Sequence, residues 1–169
     1  TKSLGEVRSP VVHHLRCSII GPEAASRVSL LEWLLQQPQA ARLNGFVNHR
    51  WNGVTTLHFA KICHGIIRQQ TPLSQIQHVV PADTVSKAEL LREMADAYRR
   101  RDLTIRDVEA PAAIDRTLTT DRPQLNQLLW EAAGYPKPPS IAEMVHELSR
   151  SPCPFNPPEE RTAASLAVI

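Results

Sequence analysis

The residues best equipped for chemistry lie between positions 48 and 58. Asn48-His49-Arg50-Trp51-Asn52-Gly53 sets amide, imidazole, guanidinium and indole groups side by side. The stretch follows a short strand candidate, Gly45 to Asn48, and precedes a helix that Thr55 or Thr56 can cap. In open α/β sheets, ligands settle in the crevice beyond the carboxyl ends of the strands. A helix N-terminus also attracts an anion such as a diphosphate. The stretch reads either as a ligand-binding loop or, more plainly, as a surface loop whose Trp51 covers the core.

Seven histidines raise the question of a metal, and with it a metal-dependent hydrolase. His58 and His64 stand six apart on one helix and face different sides of it, while His13 and His14 are strand neighbours pointing to opposite faces. Neither pair has ligand geometry, so packed or surface histidines are the expectation. The sequence holds no G-x-G-x-x-G, no P-loop and no H-E-x-x-H. Cys17, Cys63 and Cys153 have neither metal nor disulfide spacing and suit a reducing compartment. Arg16, inside an apolar run, reads first as paired with a buried partner and second as a ligand contact.

The elements that must hold these residues can be read from periodicity. Residues 1–9 resemble the last turns of a helix, ended by Ser9-Pro10. Val11 to Ile20 is apolar and β-branched at both ends and stops at Gly21-Pro22, as a buried parallel strand would. Ser29 to Gln37 is a helix stopped by Pro38. Phe59, Ile62, Cys63, Ile66 and Ile67 form one stripe on the next helix. Ile76 to Val80 is a short strand. Ser86 and Glu89 form a capping box for a helix reaching about Arg100, whose arginines suit the helix dipole. Leu103 to Val108 alternates as a half-exposed strand. Pro123 opens a helix that Gly134 ends, and a second capping box, Ser140 and Glu143, opens another. Pro-rich residues 151–169 read as a disordered tail. Strands alternating with helices make an α/β fold.

The 169 residues, 18.9 kDa, make about one domain. Hydrophobic residues at 42% and charged residues at 21% argue against disorder. Nineteen Lys and Arg against 17 Asp and Glu leave a charge of +2, too little to indicate a nucleic-acid partner. No apolar run reaches membrane-spanning length, because Glu32 interrupts the richest one. A cytoplasmic location is the expectation.

Residues 1–150 resemble the later half of an extended short-chain dehydrogenase/reductase acting on sugar nucleotides, of the branch similar to dTDP-4-dehydrorhamnose reductases. Thr1-Lys2-Ser3-Leu4-Gly5-Glu6 resembles the end of the family's YxxxK motif. Leu15 to Glu23 resembles the following strand and the loop beside the nicotinamide. Ser29 to Leu35 and Gly45 to Ile62 resemble the substrate-side helix, loop and helix. His78-Val79-Val80-Pro81 and Asp115-Arg116-Thr117-Leu118 resemble late landmarks of the same branch.

The resemblance implies the C-terminal part of a Rossmann-type fold without the dinucleotide-binding half. The complete parent would use NAD or NADP to move a hydride at C4 of a nucleotide-activated hexose, as a reductase, or would act as an epimerase or dehydratase. Lys2 would be the catalytic lysine, lowering the pKa of a tyrosine that lies upstream of Thr1, and would hold the nicotinamide ribose. Ser18, Ile19, Ile20, Gly21 and Pro22 would flank the cofactor. Asn48, Trp51, Asn52 and Thr55 would meet the nucleotide-sugar. The chain alone is expected to be inactive and marginally stable. Its alternative role is a non-catalytic module for a nucleotide-sugar or a protein, and open strand edges would favour a homodimer.

Overall fold

The computed structural model describes residues 5–7, 9–23 and 28–152. Within them strands and helices alternate, and the strand pairings are mostly parallel. Strand β1 (His14–Arg16) pairs with β6 (Ile76–His78), β2 (Ile19–Ile20) with β5 (Val54–Thr55), and β3 (Arg42–Phe46) with β8 (Thr104–Val108), each in parallel. β4 (His49–Trp51) lies between β9 (Ile114–Arg116), parallel to it, and β7 (Val85–Ser86), antiparallel. The helices are α1 (Leu30–Leu35), α2 (Thr56–Gln69), α3 (Lys87–Ala97), α4 (Pro123–Ala132) and α5 (Ile141–Arg150). Parallel strands need a crossover connection, and helices supply it. The fold is α/β, as the alternation implies.

Local chemistry sets the helix ends. Ser29 and Thr55 each accept a first-turn amide at 3.3 Å. Ser86 with Glu89, and Ser140 with Glu143, form the two expected capping boxes. Pro123 opens α4, and Gly134 follows it at φ 92°, a left-handed conformation that glycine adopts without penalty. Apolar faces of all five helices converge on one core. Leu31, Leu34, Ile62, Leu91, Met94, Leu129, Trp130, Ile141 and Met144 are each at most 2% exposed.

Several expectations change. The run from Val11 to Ile20 is not one buried strand. The Arg16 carbonyl accepts from the Val79 amide at 2.9 Å, whereas the Ser18 carbonyl accepts from Val54 at 2.8 Å. The chain thus leaves one partner and joins another at Cys17-Ser18, and Val11 is 83% exposed. His49 to Trp51 is a strand rather than a loop, because β9 and β7 give it partners on both sides. The helix from Ser86 ends at Ala97. Beyond it Arg100 donates to the carbonyls of Leu35, Gln37 and Pro38, so its charge serves the C-terminus of α1 rather than that of α3. Helix α2 buries His58, Ile62 and Gly65, and Ile67 lies outside at 77% exposure. Positions 1–4 and 8, which carry part of the expected terminal helix, and 153–169, most of the expected tail, lie outside the described residues, and no α-helix is present at 5–7.

Candidate functional site

The change of partner at Cys17-Ser18 opens a crevice. Cys17, Ser18 and Ile19 form one side, Arg116 and Leu118 the other, around a volume of about 390 Å³. The crevice lies just past the carboxyl ends of β1 and β9, where α/β sheets bind ligands. Trp51, paired in register with Arg116, donates its indole N–H to Ser18 Oγ at 2.7 Å. Gly53 makes this approach feasible, since a Cβ there would stand 2.2 Å from the Ser18 carbonyl oxygen and 2.3 Å from the Trp51 ring.

Arg116 is held by its surroundings rather than by a charge. Asp115 accepts the Thr117 amide at 2.9 Å, and that bond is the leading reason its carboxyl lies below the ordinary range. Two residues on from Arg116, the Asn52 amide donates to the Leu118 carbonyl and accepts from the Leu118 N–H, both at 2.7 Å. Arg116 itself is exposed and makes no ion pair among the described residues. A hydrogen-bonded turn thus places Arg116 at the crevice without an ion pair among the described residues, and a guanidinium is a fitting donor for a phosphate or carboxylate.

A second polar cluster lies behind the β2–β5 pair. His58 is fully buried, with Nδ1 2.6 Å from Thr55 Oγ1 and Nε2 3.1 Å from Glu147 Oε2. Glu147 also accepts from Tyr135 at 2.7 Å and from Lys61. Burial pushes the His58 pKa down against the opposing pull of Glu147. Burial works against the Glu147 charge, but the bonds from Lys61 and Tyr135 outweigh it and hold the carboxyl below the usual range. Hydroxyl, imidazole and carboxylate stand in the order of a nucleophilic triad. Thr55, however, is 1% exposed and its oxygen already accepts the His58 amide, so no substrate reaches it. Among the described residues no group of His, Cys, Asp and Glu is arranged to hold a metal ion.

No protein-family model matches the sequence, and no curated protein matches it. Solved structures do share its fold. A dTDP-4-dehydrorhamnose reductase from Bacillus anthracis, in complex with NADP, superposes on 79% of the chain with a TM-score of 0.58 at 15% identity. A UDP-N-acetylglucosamine 4-epimerase from Methanobrevibacter ruminantium, in complex with UDP-N-acetylmuramic acid, superposes on 80% with a TM-score of 0.51 at 13% identity. The chain spans 46% and 44% of their lengths. It has the α/β architecture of part of these enzymes.

The expected site residues separate into two groups. Ser18 and Ile19 line the crevice, and Trp51 and Asn52 support its two sides. Ile20 and Thr55 face each other across β2 and β5, Gly21 is buried against Thr56, and Pro22 is half-buried. Asn48 stands at the other end of β4, its amide closing a turn onto Ala110 at 2.8 and 3.0 Å. Lys2 lies outside the described residues. Arg116 and Leu118, which line the crevice, stand in the sequence only as part of a family landmark. The aspartate two residues before Thr117 is the turn signal that could have found them.

Proposed function

We propose that this chain is the substrate side of a nucleotide-sugar reductase of the extended short-chain type, and that its crevice receives the diphosphate of a dTDP- or UDP-sugar. The observation that carries this reading is Arg116, a cation without an ion pair among the described residues, whose backbone is fixed by β4 at the carboxyl ends of parallel strands opposite Ser18. Epimerase is the alternative within the same reading, since both activities appear among the structures of like fold. Trp51 and Asn52 support the crevice walls, and Asn48 and Thr55 act inside the protein rather than on the ligand.

The six glycines include no two spaced as G-x-G, so these residues do not cradle a dinucleotide by themselves. The paired edges also fit a role as one portion of a larger sheet. β1 and β6 form a two-stranded parallel pair among the described residues, with Val7, Val11 and Ile76 exposed at 56%, 83% and 41%. Parallel sheets are ordinarily covered on both faces.

The test is calorimetric titration of the purified chain with dTDP, dTDP-glucose and UDP-glucose. The expected result is measurable binding that Arg116→Ala weakens by roughly tenfold or more, the size of one charge-assisted contact. Arg116→Lys would recover part of it. Absence of heat at millimolar ligand would remove the reading.

A further inference from the structure

The cluster of Thr55, His58 and Glu147 has no part in the binding role just described, yet it abuts the crevice wall. β5 has only two residues, Val54 and Thr55, and they pair with Ile19 and Ile20 of β2. Ile19 lines the crevice, and the Ser18 carbonyl is bonded to Val54. So short a pair contributes few hydrogen bonds, and its register depends on what fixes its ends. Among the described residues the Thr55 side chain is bonded to His58, through both its backbone amide and its ring.

We propose that Thr55, His58 and Glu147 form a positioning relay, in which protonation of His58 is transmitted through β5 to Ser18 and Ile19 and so to the crevice. Its effect on ligand binding rests on the nucleotide-sugar reading above; its effect on the wall does not. A carboxylate only accepts, so Nε2 carries the hydrogen donated to Glu147, and Nδ1 accepts from the Thr55 hydroxyl. One neutral tautomer therefore satisfies all three residues. Protonation adds a hydrogen at Nδ1, and the Thr55 hydroxyl hydrogen must then turn away from the ring, in a site where Thr55 is 1% exposed. The groups facing the ring are Thr55 from β5, Lys61 from α2 itself, Trp130 from α4, Tyr135 from the loop after it, and Glu147 from α5. Lys61 and burial oppose the added proton, and Glu147 favours it. Glu147 is anchored independently by Tyr135 and Lys61, so the motion passes towards Thr55 rather than towards α5.

Nuclear magnetic resonance on the 15N-labelled chain without ligand tests this. The pH is lowered from about 8 to about 4.5, across the histidine range, while the His58 ring nitrogens, the Ser18 and Ile19 amides and the Trp51 indole are followed. The expected result is one shared midpoint for all of them. Glu147→Gln, which keeps the imidazole, would move that midpoint to lower pH for every signal, and His58→Gln would leave the crevice signals flat. Thr55→Ser would preserve the coupling and Thr55→Val would abolish it. A His58 titration that leaves Ser18 and Ile19 unmoved would overturn the proposal, as would crevice signals that titrate unchanged in His58→Gln. Calorimetry with dTDP on either side of the midpoint should differ by roughly tenfold. If the crevice signals follow His58 but dTDP does not bind at either pH, the ligand reading fails and the relay stands.

Discussion

Asn52 decides between two accounts of the crevice. The sequence places it on the ligand, whereas the structure turns its amide onto the backbone of Leu118, with two bonds of 2.7 Å and 7% exposure. Asn52→Ala removes both partners and leaves the Leu118 N–H and carbonyl unpaired. A net hydrogen bond is worth about 1 kcal/mol, and a stranded buried group costs about 1–3 kcal/mol. Leu118 is half-buried, so water recovers part of that loss, and the expected destabilisation is about 2 kcal/mol. With a urea dependence of about 2 kcal/mol/M, the unfolding midpoint should fall by about 1 M. Asn52→Asp retains the bond from the Leu118 N–H but sets a second oxygen against the Leu118 carbonyl, so it should not restore the midpoint. The assay is urea unfolding followed by Trp fluorescence, with dTDP calorimetry on the same samples. Affinity should fall together with stability, because the turn presenting Arg116 loosens. An unchanged midpoint with weakened dTDP binding would refute the clamp and place Asn52 on the ligand.

Gly53→Ala should lower stability by about 1–3 kcal/mol and shift the Trp51 emission. Its Cβ would meet the Ser18 carbonyl oxygen at 2.2 Å, a backbone atom with little room to yield. Asp102 should create an acid-sensitive step in stability. Bonds from Arg100, with a further one from the Ala40 amide, draw its carboxyl from 3.8 down to about 2. Screened by solvent at a side chain still 25% exposed, this depression is worth about 1 kcal/mol. The depressed pKa means that this stability is present above about pH 4 and is lost as pH falls towards about 2. The urea midpoint of Asp102→Asn should therefore depend less on pH across that interval than that of the unaltered chain.

Much of the secondary structure was legible because it depends on neighbours in sequence. Both capping boxes, the Pro38 and Gly134 stops, and the apolar faces of α3 and α5 follow from residues within one or two helical turns of each other. What was not legible depends on residues far apart. His49 to Trp51 reads as a loop until Ile114 to Arg116 is laid beside it, across more than sixty residues. The buried place of His58 depends on Glu147, 89 residues later. The arginines after α3 fit its dipole in sequence, yet Arg100 is bound to carbonyls near Leu35, 65 residues earlier. Asn48 and Asn52 were singled out as ligand contacts, and their amides are bonded to the backbone of Ala110 and Leu118, partners remote in sequence that composition and spacing do not reveal.

The same contrast explains why the crevice is where it is. An apolar run such as Val11 to Ile20 can pair along its whole length with one neighbour, and then no opening forms. Here β6 ends at His78 and β5 begins at Val54, so one strand partner is left behind and another is met with Cys17-Ser18 between them. At that fork the Ser18 carbonyl is bonded to Val54 and its hydroxyl to Trp51, while Gly53 lets the two chains come together. The crevice is a consequence of strand pairing, and the cation it presents is delivered by a third element, β9, through its register with β4. The binding proposed for this place would require three strand pairs and one asparagine to agree, and a change in any of them should act by moving Arg116 or Ser18 rather than by removing a contact.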